Sequence, residues 1–137
     1  MNLDKVQLAR EAVKAWNRRD AEWLIANGVP DVEFIPAVAG GVEGQGRVVH
    51  GAHEFHAFFS DLDETWERFD IEPEEFREVG EAVVSLCHVH AKGRASGLEL
   101  DQPIAMVSWF RGGKFARARS FLDAGEALEA AKQEVAV

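Results

Sequence analysis

Residues 83–122 read VVSLCHVHAKGRASGLELDQPIAMVSWFRGGKFARARSFL, and this stretch decides the fold class. Residues 83–91, 98–110 and 114–122 are three runs rich in apolar and β-branched side chains, which is how strands read. Residues 92–97 turn the chain between the first two. Gly112-Gly113 predicts a tight hairpin between the second and third, because both central positions of such a turn favour positive φ. The result is an antiparallel meander. If Ala95 and Ser96 centre the first turn, position 90 faces 101 and position 88 faces 103.

Working outward, residues 69–79 are a further strand, with Pro73 marking an edge or a bulge. Before it, a helix starts near Gly51 and places Ala52, Phe55, Phe59, Leu62 and Trp66 on one side, with Phe58 beside them. Residues 39–47 are a glycine-containing loop (Gly40, Gly41, Gly44, Gly46). It is no phosphate loop, since it lacks a following Lys-Ser/Thr and a strand-loop-helix frame. Residues 32–37 are a short strand. Residues 3–17 carry Leu3, Val6, Ala9, Val13 and Trp16 at helical spacing, with Asn2 as the N-cap. Asp20 caps a short second helix that Asn27-Gly28 stops. Residues 124–131 close the chain as a helix. Helices first and a meander last predict an α+β class.

The length of 137 residues predicts one domain spanning 1–137. Cys87 is the single cysteine, so neither an intramolecular disulfide nor a cysteine metal cluster is expected, and an apolar run around it predicts inert packing. The formal charge of −9 argues against nucleic acid as a partner. No run approaches the roughly 18 apolar residues of a membrane span. With no signal-peptide pattern at the N-terminus, a cytoplasmic protein is expected. The chain contains no tyrosine.

The segments AWNRRDAEWL (15–24), PDVEFIPA (30–37), HGAHEFHAFF (50–59), KGRASGLEL (92–100), WFRGGKF (109–115) and SFLDAGEALEAA (120–131), in this order and spacing, resemble the SnoaL-like branch of the nuclear transport factor two-like superfamily. The resemblance implies a cone, in which a strongly bent antiparallel sheet wraps the N-terminal helices around one apolar pocket. It also implies a homodimer that pairs through sheet faces. The superfamily hosts cyclases, hydrolases, dehydratases and isomerases as well as non-catalytic adaptors, so the fold alone does not give function. Ketosteroid isomerases use an aspartate base before a proline in the first strand, with a tyrosine and a protonated aspartate as oxyanion donors. The corresponding positions here are Ile35 (before Pro36), Ala12 and Ala105. A hydrocarbon neither takes nor gives a proton, so that chemistry is not expected. The same alignment implies a pocket lined by Trp16, Ile35, Phe59, Leu86, Ala105, Val107, Trp109, Ala118 and Leu122, with His88 and His90 beside Leu86 on the same side of their strand.

His90, His88 and Asp101 are the candidate catalytic residues. A carboxylate opposite an imidazole fixes its tautomer, so Asp101 would orient His90 as a general base while His88 binds a polar group of the ligand. The bland alternative is a pair of strand histidines on a half-wet face. Histidines at i and i+2 can also hold zinc or iron with Asp101 or Glu33 as a third ligand, but with no third ligand in the local sequence, no metal and no other cofactor are expected. Asp123 reads as an N-cap or an acid catalyst, Asp31 as a turn residue and His50 as a cap. His53 and His56 read as solvated, and Arg117 and Arg119 as outward-facing. The expected partner is a small hydrophobic molecule. The protein would act on it as a SnoaL-like cyclase, hydrolase or dehydratase, or hold it as a non-catalytic binding module or a dimeric partner subunit.

Overall fold

Asp4 starts the first helix by accepting the backbone N–H of Gln7, while the Gln7 side chain returns to the Asp4 backbone, a reciprocal capping box. The computed structural model describes residues 4–39, 42–43 and 48–133. Asn2, the expected cap, lies outside them. Helix α1 (Lys5–Asn17) buries Leu8, Ala9, Val13, Ala15 and Trp16 along one stripe. Asp20 caps α2 (Ala21–Ala26) through the Trp23 N–H. Strand β1 (Gly28–Ile35) follows, starting earlier than periodicity indicated. The short strands β2 (Val38–Ala39) and β3 (Val42–Glu43) pair with each other. Their connection, and residues 44–47 of the glycine loop, lie outside the described residues.

Strand β4 (Val49–His50) leads into α3 (Gly51–Thr65), which buries Phe55, Phe58, Phe59 and Leu62. Four long strands then run as the expected meander: β5 (Trp66–Val79), β6 (Ala82–Gly93), β7 (Glu99–Arg111) and β8 (Lys114–Phe121). Trp66 opens β5 instead of ending α3, and its ring is buried in either role. Gly112 and Gly113 have φ of 60° and 78°, the left-handed pair that a two-residue hairpin requires. Helix α4 (Ala124–Gln133) ends the described chain.

The main sheet has the order β4-β1-β8-β7-β6-β5. Every neighbouring pair in it is antiparallel except β1 and β8, which run parallel. The sheet is α+β, bent and unclosed. Register shifts at Trp66/Arg68, Pro73/Glu75 and Trp109/Phe110 interrupt its ladders, and such bulges bend strands. Pro73 lies on the edge strand, where its missing N–H removes no central ladder bond.

The two faces of the sheet bury different residues. The inner face packs on α1, α2 and α3 and carries Val83, Cys87, Val89, Ala91, Ile104 and Phe110. The outer face packs on α4 and carries Ala82, Val84, Ala105, Val107, Trp109 and Phe121. Asn17 joins α1 to the edge strand. Its amide donates to the Ile71 carbonyl and accepts the Ile71 N–H, both at 2.8 Å, taking the place of a missing strand partner. Arg19, with φ of 57°, donates to the carbonyls of Trp16 and Phe69 and so holds the end of α1 against β5. These contacts set the depth of Trp16.

Candidate functional site

Between the helices and the inner sheet face lies an apolar cavity of about 60 Å³. On the measure by which about 10–15 Å³ admits one water, this is room for a small molecule. Helix α1 contributes Ala9, Ala12, Val13 and Trp16, and the sheet contributes Val32, Phe34, Ile71, Met106, Phe115 and Ala118. Leu24 and Phe55 complete the apolar wall. Ser85 and Ser108, both buried, bring hydroxyl groups to it. Glu33 also borders it, while its carboxylate is engaged at 3.2 Å by His50 and at 3.5 Å by the outward-facing Arg117.

Trp16 is the centre of this wall. Its ring meets those of Phe34, Phe58, Phe59 and Phe69 with centroids 5.3–5.9 Å apart, and it is 7 % exposed. Its Nε1–H is buried and has no hydrogen-bond partner among the described residues, as is also the case for Trp66 and Trp109. An unpaired buried donor costs about 1–3 kcal/mol.

Of the nine expected pocket residues, Trp16 and Ala118 line the cavity. Phe59 packs behind Trp16 in the core instead. Leu86, Ala105, Val107 and Trp109 belong to the outer sheet face under α4. Ile35 stands opposite Arg119 on β8, and Leu122 is 47 % exposed past the end of β8. The strands alternate as expected, but the opposite face turns inward. In β6 the odd positions 83–91 point to the helices, so the even ones point away. Ser85, Met106 and Ser108 therefore take the inner positions in place of Leu86, Ala105 and Val107. Of the isomerase-like positions, Ala12 is in the wall, while Phe34 and Met106, the strand neighbours of Ile35 and Ala105, line it in their stead.

His88 and His90 share the outer face with Leu86, on the part that α4 leaves open. The expected register is present, with His90 opposite Asp101 and His88 opposite Pro103. The turn itself is longer than two residues, closed by Gly93 N–H to the Leu98 carbonyl at 2.7 Å. Asp101 forms a close hydrogen bond with His88 Nε2 diagonally, and its other oxygen lies 3.6 Å from His90 Nδ1. His90 Nε2 is 3.2 Å from Glu72 on β5. The two rings lie 4.8 Å apart. The hydrogen bond to His88, aided by the charge of both rings, holds the Asp101 carboxyl below the ordinary carboxylate range. Sequence alone carried a signal for this face: in Cys87-His88-Val89-His90-Ala91 the apolar residues alternate with the histidines.

The other polar candidates take structural places. Asp123 caps α4 by accepting the Glu126 N–H. Asp31 pairs with Arg111 at 2.8 Å, and His56 with Glu22 at 2.7 Å. His53 is exposed. His50 makes no side-chain cap on α3 and instead lies between Glu33 and Glu54. Arg117 and Arg119 face outward over the Trp109 and Phe121 rings at 4.9 and 4.7 Å. Cys87 is buried on the inner face, and burial pushes its thiol up to about 12, with Glu74 adding to the rise.

An inner apolar cavity under a bent sheet defines a small-molecule-binding α+β cone. Residues 9–118 match the model of the SnoaL-like domain, and the chain belongs to that family. Among solved structures, it is 26% identical to an NTF2-like protein of unknown function from Burkholderia pseudomallei K96243, with a TM-score of 0.75 over 91% of this chain and 95% of that one. A protein with a ketosteroid isomerase-like fold from Catenulispora acidiphila DSM 44928, in complex with trimethylamine, is 12% identical. The match has a TM-score of 0.73 and covers 92% of each chain. TerC, co-crystallised with polyporic acid, is 22% identical with a TM-score of 0.72, covering 91% of this chain and 98% of TerC. No curated protein matches the sequence. Among the described residues no helix is long and apolar enough to cross a membrane.

Proposed function

We propose that this protein holds a small, largely apolar molecule in its inner cavity, with a hydrogen-bond acceptor of the ligand taken by Trp16 Nε1, and that it does so as a binding module. The observation that carries this reading is the largely apolar cavity itself, walled by Trp16, whose buried indole N–H is unpaired among the described residues. A holding role is favoured over catalysis by the lining. Among the described residues the wall has one ionisable side chain, Glu33, already engaged by His50 and Arg117. General acid–base catalysis needs a group within hydrogen-bond reach of the reacting atoms. The candidate catalytic set His90, His88 and Asp101 stands across the sheet from the cavity. Small molecules bound to two structural relatives, trimethylamine and polyporic acid, agree with a ligand-holding role.

Native mass spectrometry of protein purified from its host, followed by release of any bound molecule, tests this directly. The expected result is a small organic ligand whose retention falls at least tenfold in Trp16→Phe, which keeps an aromatic ring and removes the donor. Equal retention by the variant would dismiss the Trp16 contact. A chain found empty, with no affinity for small apolar acceptors, would dismiss the binding reading.

The open part of the outer face supports a homodimer, because Leu86 and Ile35 are only partly covered there. An interface of ordinary size buries on the order of 1,600 Å². Light scattering at micromolar concentration should give twice the chain mass of 15.2 kDa, and a monomer mass would reject the dimer.

A further inference from the structure

We propose that His88, His90 and Asp101 form a binding site for a late first-row divalent cation of the zinc class on the outer face of the sheet, distinct from the cavity.

The argument starts from strand geometry. Residues two apart on a strand point to the same face, so β6 presents both imidazoles side by side, and β7 presents Asp101 opposite His90. One ligand atom from each of the three residues lies within 4.8 Å of the others. Ligands around a zinc ion, with bonds of about 2.0–2.2 Å, stand roughly 3–3.5 Å apart, so small side-chain rotations close the set. Asp101 already sits between the rings, hydrogen-bonded to His88 Nε2 and 3.6 Å from His90 Nδ1. A cation would take over the position of the shared protons.

The surroundings suit this role. Glu72 approaches His90 Nε2 at 3.2 Å, so it can accept the hydrogen bond of an Nε2–H and leave the Nδ1 lone pair free for the metal. This carboxylate–histidine–metal relay is the usual outer support of such sites. His88 would carry its own proton on Nδ1 and offer Nε2. Two imidazoles and a carboxylate match zinc, nickel or copper, whereas magnesium and calcium demand oxygen ligands. In the single chain Asp101 is 68 % exposed, which leaves a further coordination position free; pairing of two copies through this face would place that position at their seam. The net charge of −9 favours cation uptake in general, so charge alone cannot account for selectivity.

The test uses the untagged full chain, stripped with a chelator and titrated with zinc chloride by calorimetry, and with cobalt chloride by visible absorption. The expected result is one zinc per chain, cobalt bands typical of low coordination number, and no response to magnesium chloride. His88→Gln and Asp101→Asn should each weaken zinc binding at least tenfold, and Glu72→Gln by about 10–100-fold, as for removal of an outer-shell partner. His50→Gln, which alters the separate His50–Glu33 pair, should leave zinc binding unchanged. All four side chains are partly or largely exposed, and melting curves confirm that the variants fold. Absence of zinc binding by the wild type at high micromolar concentration would overturn the site. So would zinc binding that is indifferent to His88→Gln and Asp101→Asn.

Discussion

Trp16 and Phe59 meet edge to face, with ring centroids 5.3 Å apart and planes at 80°. Trp16 forms the cavity wall and Phe59 stands behind it, so the pair separates stability from binding. Trp16→Ala and Phe59→Ala should each cost about 3–5 kcal/mol of unfolding free energy by denaturant titration. The Trp16→Phe variant should cost clearly less, since aromatic contacts with Phe34, Phe58 and Phe69 are largely kept. An unchanged melting temperature in Trp16→Ala would contradict its place in the core.

Proton transfer on a 3-oxo-Δ5 steroid should be undetectable by absorbance assay. The cavity of about 60 Å³ is small for four fused rings, and Ala12, Phe34 and Met106 offer no acid or base. Measurable turnover, abolished by a substitution at Glu33, would show that this carboxylate leaves its partners and serves as a base.

Asp20 gives the pH dependence a definite sign. The Trp23 N–H, and then Arg18, hold its carboxyl below the ordinary value of 3.8. A group depressed on folding adds stability above its unfolded pKa and loses it as pH falls through the folded one. Asp20→Asn keeps a capping side chain but carries no charge. Wild type should therefore exceed Asp20→Asn in stability more at about pH 6 than at about pH 2, on either side of an unfolded value of about 3.9. Parallel stability–pH curves for the two proteins would remove the contribution assigned to this cap.

Cys87 should be chemically silent in the folded protein. It is 4 % exposed, and burial pushes its thiol up to about 12. Near the ordinary thiol value of about 8.5, a free cysteine alkylates readily through its thiolate. Iodoacetamide at that pH should label the native chain no faster than it unfolds, and label it fully in concentrated guanidinium chloride. Fast labelling of native protein would place Cys87 on the outer face and reverse the orientation of β6.

The α+β class, the meander, the Gly112-Gly113 hairpin and the opposition of His90 to Asp101 were all legible from residue order, because turns and strand period are local properties. Trp16 was legible as core for the same reason: its helix has one apolar stripe. Local pattern also revealed that β6 has two distinct sides, but both sides carry apolar residues. Alternation alone therefore allows His88 and His90 to face either the helices or the outside. That choice was decided by α4, which covers Ala82, Val84, Val107 and Trp109 and lets the odd positions of β6 turn to α1 and α3. The parallel pairing of β1 with β8 and the seat of Asp101 between two histidines likewise join segments distant in the chain. Short-range sequence determined the elements and their register. The tertiary packing of helices on both sides of the sheet decided which side holds the cavity, because burial is settled by what lies across the sheet.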